Sequence, residues 1–209
     1  MSIFHDICED VRFYHKLRFP RRPPTFFSWA MVLLGSRGLF VLFTHRFSAE
    51  YKQYGGVGIV KWMFMVLLHL MYYLSEICTK CQIASRTLIA PGVFLSNSGH
   101  LAIGPRSIGS GTIIHDRVTI GNNSLNKEVP TIGSNVWIGP NCVIFGGITV
   151  SNGVTVLPDS VLSKSVPPCV VVQGNPARIV KSNFDNTVIR QSLNTDISTF
   201  LDNNNNIND

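Results

Sequence analysis

The chain has 209 residues, is 45% hydrophobic and 14% charged, and carries a net charge of +6 at pH 7. This length suits one domain, or one domain with a sizeable appendage, and the hydrophobic content makes a core easy to build. Five cysteines, an odd number scattered along the chain, argue against a disulfide framework. The CxxC pair of Cys78 and Cys81 lacks the second ligand pair of a zinc site, so no metal is expected.

Residues 1–80 form the first predicted unit, a helical region. Positive charge concentrates in its first fifty residues, at Lys16, Arg18, Arg21, Arg22, Arg37 and Arg46. A basic segment of this kind serves solubility, or it attracts anionic lipid, nucleic acid or an acidic polymer. Because the first twenty residues are charged rather than apolar, no signal peptide is expected, and the cytoplasm is the expected compartment.

Aromatic and aliphatic residues cluster in two stretches of this region, 26–47 and 57–78. The second stretch is long enough to span a bilayer, but three polar side chains interrupt it close to helical spacing: Lys61, His69 and Glu76. Charges inside a membrane span are expensive. The pattern therefore favours an amphipathic helix that packs on a partner subunit or makes peripheral contact with the inner face of a membrane. A transmembrane span is the alternative.

Residues 82–181 form the second predicted unit, in which aliphatic side chains recur at steps of six residues. The series is Ile83, Ile89, Leu95 and Leu101; after one extra residue, Ile108, Ile114 and Ile120; and after one skipped step, Ile132, Ile138, Ile144, Val150, Val156 and Leu162. A helix period of about 3.6 cannot keep every sixth residue on one face. Three short strands joined by turns can close a triangular coil, and stacked coils bury a continuous aliphatic column.

The sequence therefore predicts an α+β chain, with a helical N-terminal segment followed by a parallel β-helix. Residues 182–209 lose the six-residue repeat, and their end consists almost entirely of Asn and Asp. A low-complexity polar composition cannot bury enough apolar surface to fold, so this C-terminal tail is predicted to be largely disordered.

Three segments of the repeat region are distinctive. They read Val-Thr-Ile-Gly-Asn at 118–122, Pro-Thr-Ile-Gly-Ser-Asn-Val-Trp-Ile-Gly at 130–139, and Val-Pro-Pro at 166–168 followed by Gln-Gly-Asn-Pro-Ala-Arg-Ile-Val at 173–180. These segments resemble the hexapeptide-repeat acyltransferases, in particular the branch of serine acetyltransferases and of capsule and exopolysaccharide O-acetyltransferases.

The resemblance implies a left-handed β-helix and a homotrimer with its active sites between subunits. It also implies direct transfer of an acetyl group from acetyl-CoA, the expected co-substrate, to a hydroxyl or amine of a glycan or small molecule. Nucleic acid is not expected among the partners.

Such a transfer needs a general base, a role that suits histidine near neutral pH. Within the repeat region the sequence offers His100 and His115. Each adjoins an inward aliphatic residue, so both are expected to face solvent or the groove between subunits. His100 is the preferred catalytic base, because Ser98 and Gly99 precede it and the repeat is irregular nearby. His115 is the close alternative.

Coil arithmetic predicts which residues surround the base. With three six-residue steps to a coil, His100 lies one coil from Thr119, and Trp137 lies one coil further along the same wall. Trp137 would then be an exposed apolar side chain. The resemblance implies that a tryptophan here lines the acyl-donor site, and packing against a neighbouring subunit is a compatible alternative.

His115 falls one coil beyond the corner that contains Asn97, so Asn97 joins the predicted patch as a substrate-binding candidate. Asp116 is a second such candidate and could pair with an imidazole. Adjacent residues of a strand point to opposite faces, which argues against a simple dyad of His115 and Asp116.

For the acyl donor, the resemblance implies contacts from Trp137, Gly139, Pro158, Ser163, Lys164, Arg178 and Lys181. The three cations among these residues are of the type that meets CoA phosphates. Each is equally interpretable as a solvated surface charge.

Two departures from the serine acetyltransferases bear on the acceptor. Those enzymes carry an Asp-His pair at the corner that here reads Ser96-Asn97, and an Arg-His-Pro where this chain has Glu128-Val129-Pro130. Both groups serve catalysis or amino-acid recognition in that family. Their absence favours a sugar hydroxyl of a capsular polysaccharide, an exopolysaccharide or a precursor. Serine O-acetylation and a non-catalytic β-helix scaffold are the alternatives.

Overall fold

The structure is a computed structural model that describes residues 3–20, 23, 25–51, 63, 66, 67, 70, 73, 77, 80–97, 99–123 and 127–191. Residues 3–51 contain three helices among the described residues: α1, Ile3–Arg18; α2, Phe26–Gly35; and α3, Arg37–Tyr51. A capping box begins α2, in which Thr25 accepts a hydrogen bond from the Ser28 backbone and the Ser28 hydroxyl accepts one from the Thr25 backbone. The predicted helical N-terminal segment is confirmed.

No single helix within the described residues is both long and apolar enough to cross a membrane. Phe26–Val32 and Arg37–Ser48, which meet at an angle of 79°, satisfy the requirements of length and composition together, as a bent pair. The stretch 58–78, for which the sequence predicts an amphipathic helix or a span, lies largely outside the described residues.

Short strands follow from residue 81 onward. Their bounds are β1 Cys81–Ile83, β2 Leu88–Ile89, β3 Phe94–Leu95, β4 Leu101–Ile103, β5 Ser107–Ile108, β6 Ile113–Ile114, β7 Thr119–Gly121, β8 Thr131–Ile132, β9 Trp137–Ile138, β10 Val143–Phe145, β11 Thr149–Val150, β12 Thr155–Val156, β13 Val161–Leu162, β14 Val171–Gln173 and β15 Arg178–Lys181.

These strands form three sheets. The first has the order β1-β4-β7-β10-β13, the second β2-β5-β8-β11, and the third β3-β6-β9-β12-β14-β15. The chain visits the sheets in turn, and the strands that neighbour each other from coil to coil are parallel. β15 ends the third sheet by folding back antiparallel on β14. The predicted parallel β-helix is confirmed.

Inward aliphatic side chains stack in register inside the coils. In the third sheet the buried row is Leu95, Ile114, Ile138, Val156 and Val172. In the first sheet it is Ile83, Ile103, Ile120, Ile144 and Leu162. Each row buries one side chain per coil, which is the stacking that the six-residue repeat predicts.

One member of the predicted series is wrong. The sequence places Leu101 in the row of sixth residues, but Ile103 pairs with Ile83 and Ile120 in that row. Eight steps separate Leu95 from Ile103, whereas six separate Ile114 from Ile120 in the next coil. The corner at residues 96–100 therefore holds two additional residues. Leu101 is buried as well, so burial alone does not reveal the shift.

The helical part is fastened to the first coil by a buried ion pair. Arg46 of α3 donates to both carboxylate oxygens of Asp10 of α1, at 2.7 and 3.1 Å. The same guanidinium donates to the carbonyls of Ile89 and Ala90, and the Asp10 carboxylate accepts the backbone N–H of Gly92 at 2.8 Å. Because each charge has several partners, the pair joins two helices to one edge of the β-helix without an unpaired charge.

A second attachment lies one strand further on. The Tyr14 hydroxyl donates to the Leu95 carbonyl at 3.0 Å and accepts the Leu95 N–H at 2.8 Å. The backbone N–H of Gly38 donates to Asn97 Oδ1 at 3.2 Å. A side chain at position 38 would overlap the Leu95 carbonyl, so only glycine permits this approach of α3 to the coil.

The sequence predicts that the C-terminal tail begins at residue 182, but the structure shows that residues 182–191 are packed on the β-helix. Phe184 and Ile189 are buried, and a short helix, α4, spans Thr187–Gln191. Two apolar side chains anchor a segment whose overall composition is polar. Residues 192–209, the remainder of the predicted tail, lie outside the described residues.

Replacing Gly38 by alanine tests the fit of α3 on the coil. We expect Gly38→Ala to lower the free energy of unfolding by about 1–3 kcal/mol, because the new methyl group overlaps a backbone oxygen that cannot move independently. Gly35→Ala is the matched control, since its methyl group would meet only the flexible Arg18 guanidinium, at 3.1 Å. Urea unfolding measures both, and equal stability of the two variants would contradict the fit.

Candidate active site

The candidate site lies at the corner where the chain leaves the third sheet for the first. Stacking of the inward row aligns the residues that come next in each coil: Ser96, His115, Gly139 and Leu157. Their backbone N–H groups donate to the neighbouring coil, His115 to the Ile138 carbonyl and Gly139 to the Val156 carbonyl, at 3.0 and 2.9 Å. Register in the core therefore determines which side chains meet at this corner.

His115 is the titratable group at the centre of the corner. Its ring lies 4.7 Å from the Trp137 ring, at an interplanar angle of 52°. Its Nε2 atom is buried and has no hydrogen-bond partner. Burial lowers the pKa of His115 from its ordinary value of 6.5, and the nearby Asp116 carboxylate opposes this effect. The imidazole is therefore neutral near pH 7, the state that can accept a proton.

The prediction that Trp137 is exposed is wrong, because its side chain is 4% exposed. It belongs to the outward row of the third sheet, with Ile113 on one side and Thr155 on the other, and both are also buried. The indole lies against Gly139, where a Cβ would be 2.9 Å from Trp137 Cζ3. Trp137 is thus a fixed wall of the corner.

Two further segments of the chain pack on the third sheet. At one end, Tyr14 of α1 packs its ring on Phe94, 4.6 Å between centroids. In the turns that lead into the third sheet, Asn186 Nδ2 donates to the carbonyls of Asn135 and Gly153, and Arg190 donates to the Gly111 carbonyl. The N- and C-terminal segments therefore enclose the third sheet. Neither contact has a signal in the six-residue repeat.

The polar residues beside His115 are held in place. The Ser96 hydroxyl donates a hydrogen bond to the Asp116 carboxylate. Asn97 uses its Oδ1 to accept the Gly38 N–H. The predicted patch thus includes Asn97, His115, Asp116 and Trp137 on adjoining coils, and its acidic member is paired with Ser96. The sequence did not single out Gly38, although a glycine inside an apolar helical pattern is a signal of close packing.

His100 occupies a different part of the corner. It is exposed and has a positive φ of 60°. Arg117, Asn141 and Asp159 hold the corresponding turn position in later coils and also have positive φ. His100 aligns with Arg117 and precedes the first sheet, whereas Trp137 lies in the third. The predicted alignment of His100 with Trp137 along one wall is therefore wrong. Thr119 pairs with Val143, 24 residues further on, because the chain between β7 and β8 adds six residues to that coil and moves Trp137 into another sheet.

The residues expected to contact the acyl donor fall into two groups. Gly139 and Pro158 lie together beside Trp137, since a Cβ on Gly139 would be 2.8 Å from the Pro158 nitrogen. Ser163 and Lys164 follow β13 and are exposed, while Arg178 and Lys181 lie on β15.

Lys181 has an unusual environment among these donor candidates. Its Nζ is buried without a hydrogen-bond partner and lies 5.8 Å from the centre of the Phe184 ring. Within the described part of the chain, no three His, Cys, Asp or Glu side chains come together in a way that could hold a metal ion.

Comparison with known proteins finds several relatives of this chain. No family model matches the chain. It is 33% identical over 103 residues to a galactoside O-acetyltransferase of Escherichia coli, and the match covers 49% of this chain and 44% of that protein. Over 102 residues it is 35% identical to a serine acetyltransferase of Buchnera aphidicola, covering 44% and 37%. A putative lipopolysaccharide biosynthesis O-acetyl transferase of E. coli is 33% identical over 95 residues, covering 46% of each. The chain thus matches less than half the length of these relatives.

Solved structures resemble the fold over a larger share of the chain. A serine acetyltransferase from Brucella abortus superposes with a TM-score of 0.65 and 22% identity, covering 86% of this chain and 69% of that one. A serine acetyltransferase in complex with CoA gives a TM-score of 0.68 and 21% identity, covering 86% and 70%. At such identity the likeness concerns the fold.

The burial of His115 makes stability depend on pH in a defined direction. Since its pKa is lowered in the folded protein, protonation favours unfolding, and stability should fall as the pH drops below 6.5. One proton accounts for at most about 1.4 kcal/mol per pH unit. We expect His115→Gln to lose this component in urea unfolding between pH 7.5 and 5.5, while His100→Gln keeps it. A pH dependence unchanged in His115→Gln would refute the assignment.

Proposed function

From the premise that the homologues of this chain are hexapeptide-repeat acetyltransferases, we propose that it is an acetyl-CoA-dependent O-acetyltransferase. The single observation that carries the proposal is the neutral, part-buried His115 imidazole packed on Trp137 at the corner of the β-helix. An acetyltransferase needs a general base that is unprotonated at neutral pH, and a wall beside that base from which water is largely excluded. This corner supplies both.

The proposed reaction is direct transfer. The imidazole of His115 takes the proton from the acceptor hydroxyl as its oxygen attacks the thioester carbonyl carbon. The tetrahedral intermediate collapses with cleavage of the carbon–sulfur bond, and the departing thiolate takes the proton from the imidazolium. The products are an acetyl ester and free CoA. Trp137, Gly139 and Pro158 line the side of the corner on which we place the acetyl end of the donor.

His115 replaces His100 as the preferred base in this proposal. His115 contacts Trp137 and adjoins Gly139, whereas His100 is exposed in a turn that leads into a different sheet. A base within a fixed wall is positioned for transfer without rearrangement of the backbone.

A sugar hydroxyl of a capsular polysaccharide, an exopolysaccharide or a precursor is the acceptor that we propose. Ser96 and Asn97, which stand where serine acetyltransferases carry Asp-His, are engaged with Asp116 and with the Gly38 backbone. Two sugar-directed relatives support this acceptor, a galactoside O-acetyltransferase and a lipopolysaccharide O-acetyl transferase. L-serine is the second candidate, because a serine acetyltransferase is 35% identical over 102 residues.

We further propose a homotrimer, with the site completed by a neighbouring subunit, and a cytoplasmic location. Support for association comes from the second sheet, whose outward row begins with the exposed Leu88 and continues with the short side chains of Ser107, Thr131 and Thr149. Short side chains leave a flat wall on which another subunit can lie.

Release of free CoA tests the activity and ranks the acceptors. We expect the purified protein to release CoA from acetyl-CoA when offered an O-acetylatable glycan, and not with L-serine alone. Release with serine at a comparable rate would reverse the ranking. Absence of release with both acceptors, together with absence of CoA binding, would favour a scaffold.

Histidine variants test the base. We expect His115→Ala to lower kcat by about 10²–10⁴-fold, the range for loss of a general base. His100→Ala should stay within about threefold of the parent protein, as an exposed substitution ordinarily does. Full activity in His115→Ala with loss of activity in His100→Ala would return the role to His100.

A further inference from the structure

The helical part carries an exposed aromatic patch, formed by Phe26, Phe27 and Met31 at the beginning of α2. The three side chains are 92%, 74% and 42% exposed. Phe27 and Met31 also line a cleft of about 250 Å³, together with Phe19, Pro23, Thr25 and Ser28. Large aromatic side chains at such exposure are costly in water unless something apolar covers them.

The exposure is imposed by the packing of α2 on α1. His15 Nε2 makes a 2.8 Å hydrogen bond with the Ser28 hydroxyl, and the His15 ring stacks on Trp29 at 5.9 Å. Ser28 and His15 are buried. This contact fixes the rotation of α2 and turns Phe26 and Phe27 away from α1. The aromatic patch is therefore a property of a packed helix pair.

The sequence that flanks the aromatic patch is rich in positive charge. Between Asp10 and Glu50 the sequence contains no acidic residue and the following cations: Arg12, Lys16, Arg18, Arg21, Arg22, Arg37 and Arg46. Arg46 is neutralised by its ion pair with Asp10. Lys16 and Arg18 are exposed near the end of α1, and the Arg18 guanidinium donates to the Gly35 carbonyl at the end of α2. Arg21 and Arg22 precede Phe26 by five and four residues in the sequence.

We propose that the aromatic patch and its cations dock the protein on an anionic lipid surface. Aromatic side chains enter the boundary between headgroups and acyl chains, and neighbouring Lys and Arg side chains meet negatively charged headgroups. A symmetric contact between two copies would bring the same positive charges together, which opposes association through this patch. The patch thus matches lipid in both hydrophobicity and charge, and the proposal does not depend on the acetyltransferase activity.

A second exposed apolar surface provides a comparison. The described residues between 63 and 77 are helical, exposed and apolar, and their spacing in the sequence matches one helix face: Met63, Val66, Leu67, Leu70, Tyr73 and Ile77. Fewer cations accompany this apolar stripe in the sequence, with Lys61 before it and Lys80 after it. Replacing leucines of the stripe by serine removes apolar surface from the N-terminal region and leaves the residues of the aromatic patch unchanged.

Vesicle flotation of the full chain tests the proposal. We expect the protein to float with phosphatidylglycerol–phosphatidylcholine vesicles and to remain unbound with pure phosphatidylcholine vesicles. Phe26→Ser/Phe27→Ser should weaken binding about tenfold or more, and Lys16→Gln/Arg18→Gln about fivefold for each charge removed. Phe26→Trp should retain binding. Added salt should release the protein, because the attraction is partly electrostatic.

Leu67→Ser/Leu70→Ser and Arg86→Gln/Arg106→Gln are the matched controls, and both should bind as the parent protein does. Circular dichroism establishes that each variant is folded. The proposal fails if the parent protein does not float with anionic vesicles, or if it floats equally with neutral ones. It also fails if only the stripe variant loses binding. Finally, if Phe26→Ser/Phe27→Ser changes the oligomeric mass in the absence of lipid, the aromatic patch is an interface between copies.

Discussion

In-register stacking of aliphatic side chains is the constraint on which the rest of this structure depends. Leu95, Ile114, Ile138 and Val156 lie one above another inside the third sheet, and every coil must return its chain to this column. The residue that follows each of these aliphatic residues consequently lies at the same corner, whatever its side chain. His115 is a neighbour of Gly139 for this reason, and the absence of a side chain on Gly139 leaves room for Trp137. Core packing and site geometry have one cause.

A β-helix has two open ends, and each is closed differently here. At the first coil, α1 and α3 attach through the Asp10–Arg46 ion pair, which reaches backbone groups of the chain at 89–92. At the last coil, β15 folds back on β14 and ends the ladder with an antiparallel pair. Closing the ends protects strands that would otherwise present unpaired backbone groups. The attachment of the helices also reaches Leu95 and Asn97, so the end cap and the candidate site share residues.

Much of the fold could be predicted because the signal is periodic. A six-residue phase specifies strand, turn and inward position together, and it identified Ile114, Ile138 and Val156 correctly. Its failures occur where coils differ in length. The corner at 96–100 contains two additional residues, which place Leu101 outside its predicted row. The chain between β7 and β8 adds six residues to a later coil, so Trp137 lies in a different sheet from the row that follows His100. A repeat search counts residues and cannot tell in which corner an insertion lies.

The burial of Trp137 could not be predicted for a different reason. Segments distant in sequence pack on the same sheet, α1 on Phe94 and residues 184–190 on the turns before the sheet. Such contacts depend on individual side chains, such as the Asn186 amide that donates to carbonyls of the turns. These side chains do not recur at a fixed spacing in the sequence. The six-residue repeat predicts that His115 faces solvent or a groove between subunits. It does not predict the burial that lowers the pKa of the imidazole.

The most direct test of this account is an NMR pH titration of the His115 imidazole in histidine-labelled protein, with and without CoA. His115→Gln assigns the resonance. We expect a pKa below 6.5 in the free protein and a further perturbation of the resonance when CoA binds beside Trp137. A pKa at or above 6.5 would contradict the burial of the imidazole. A resonance unaffected by saturating CoA would contradict the location of the donor at this corner.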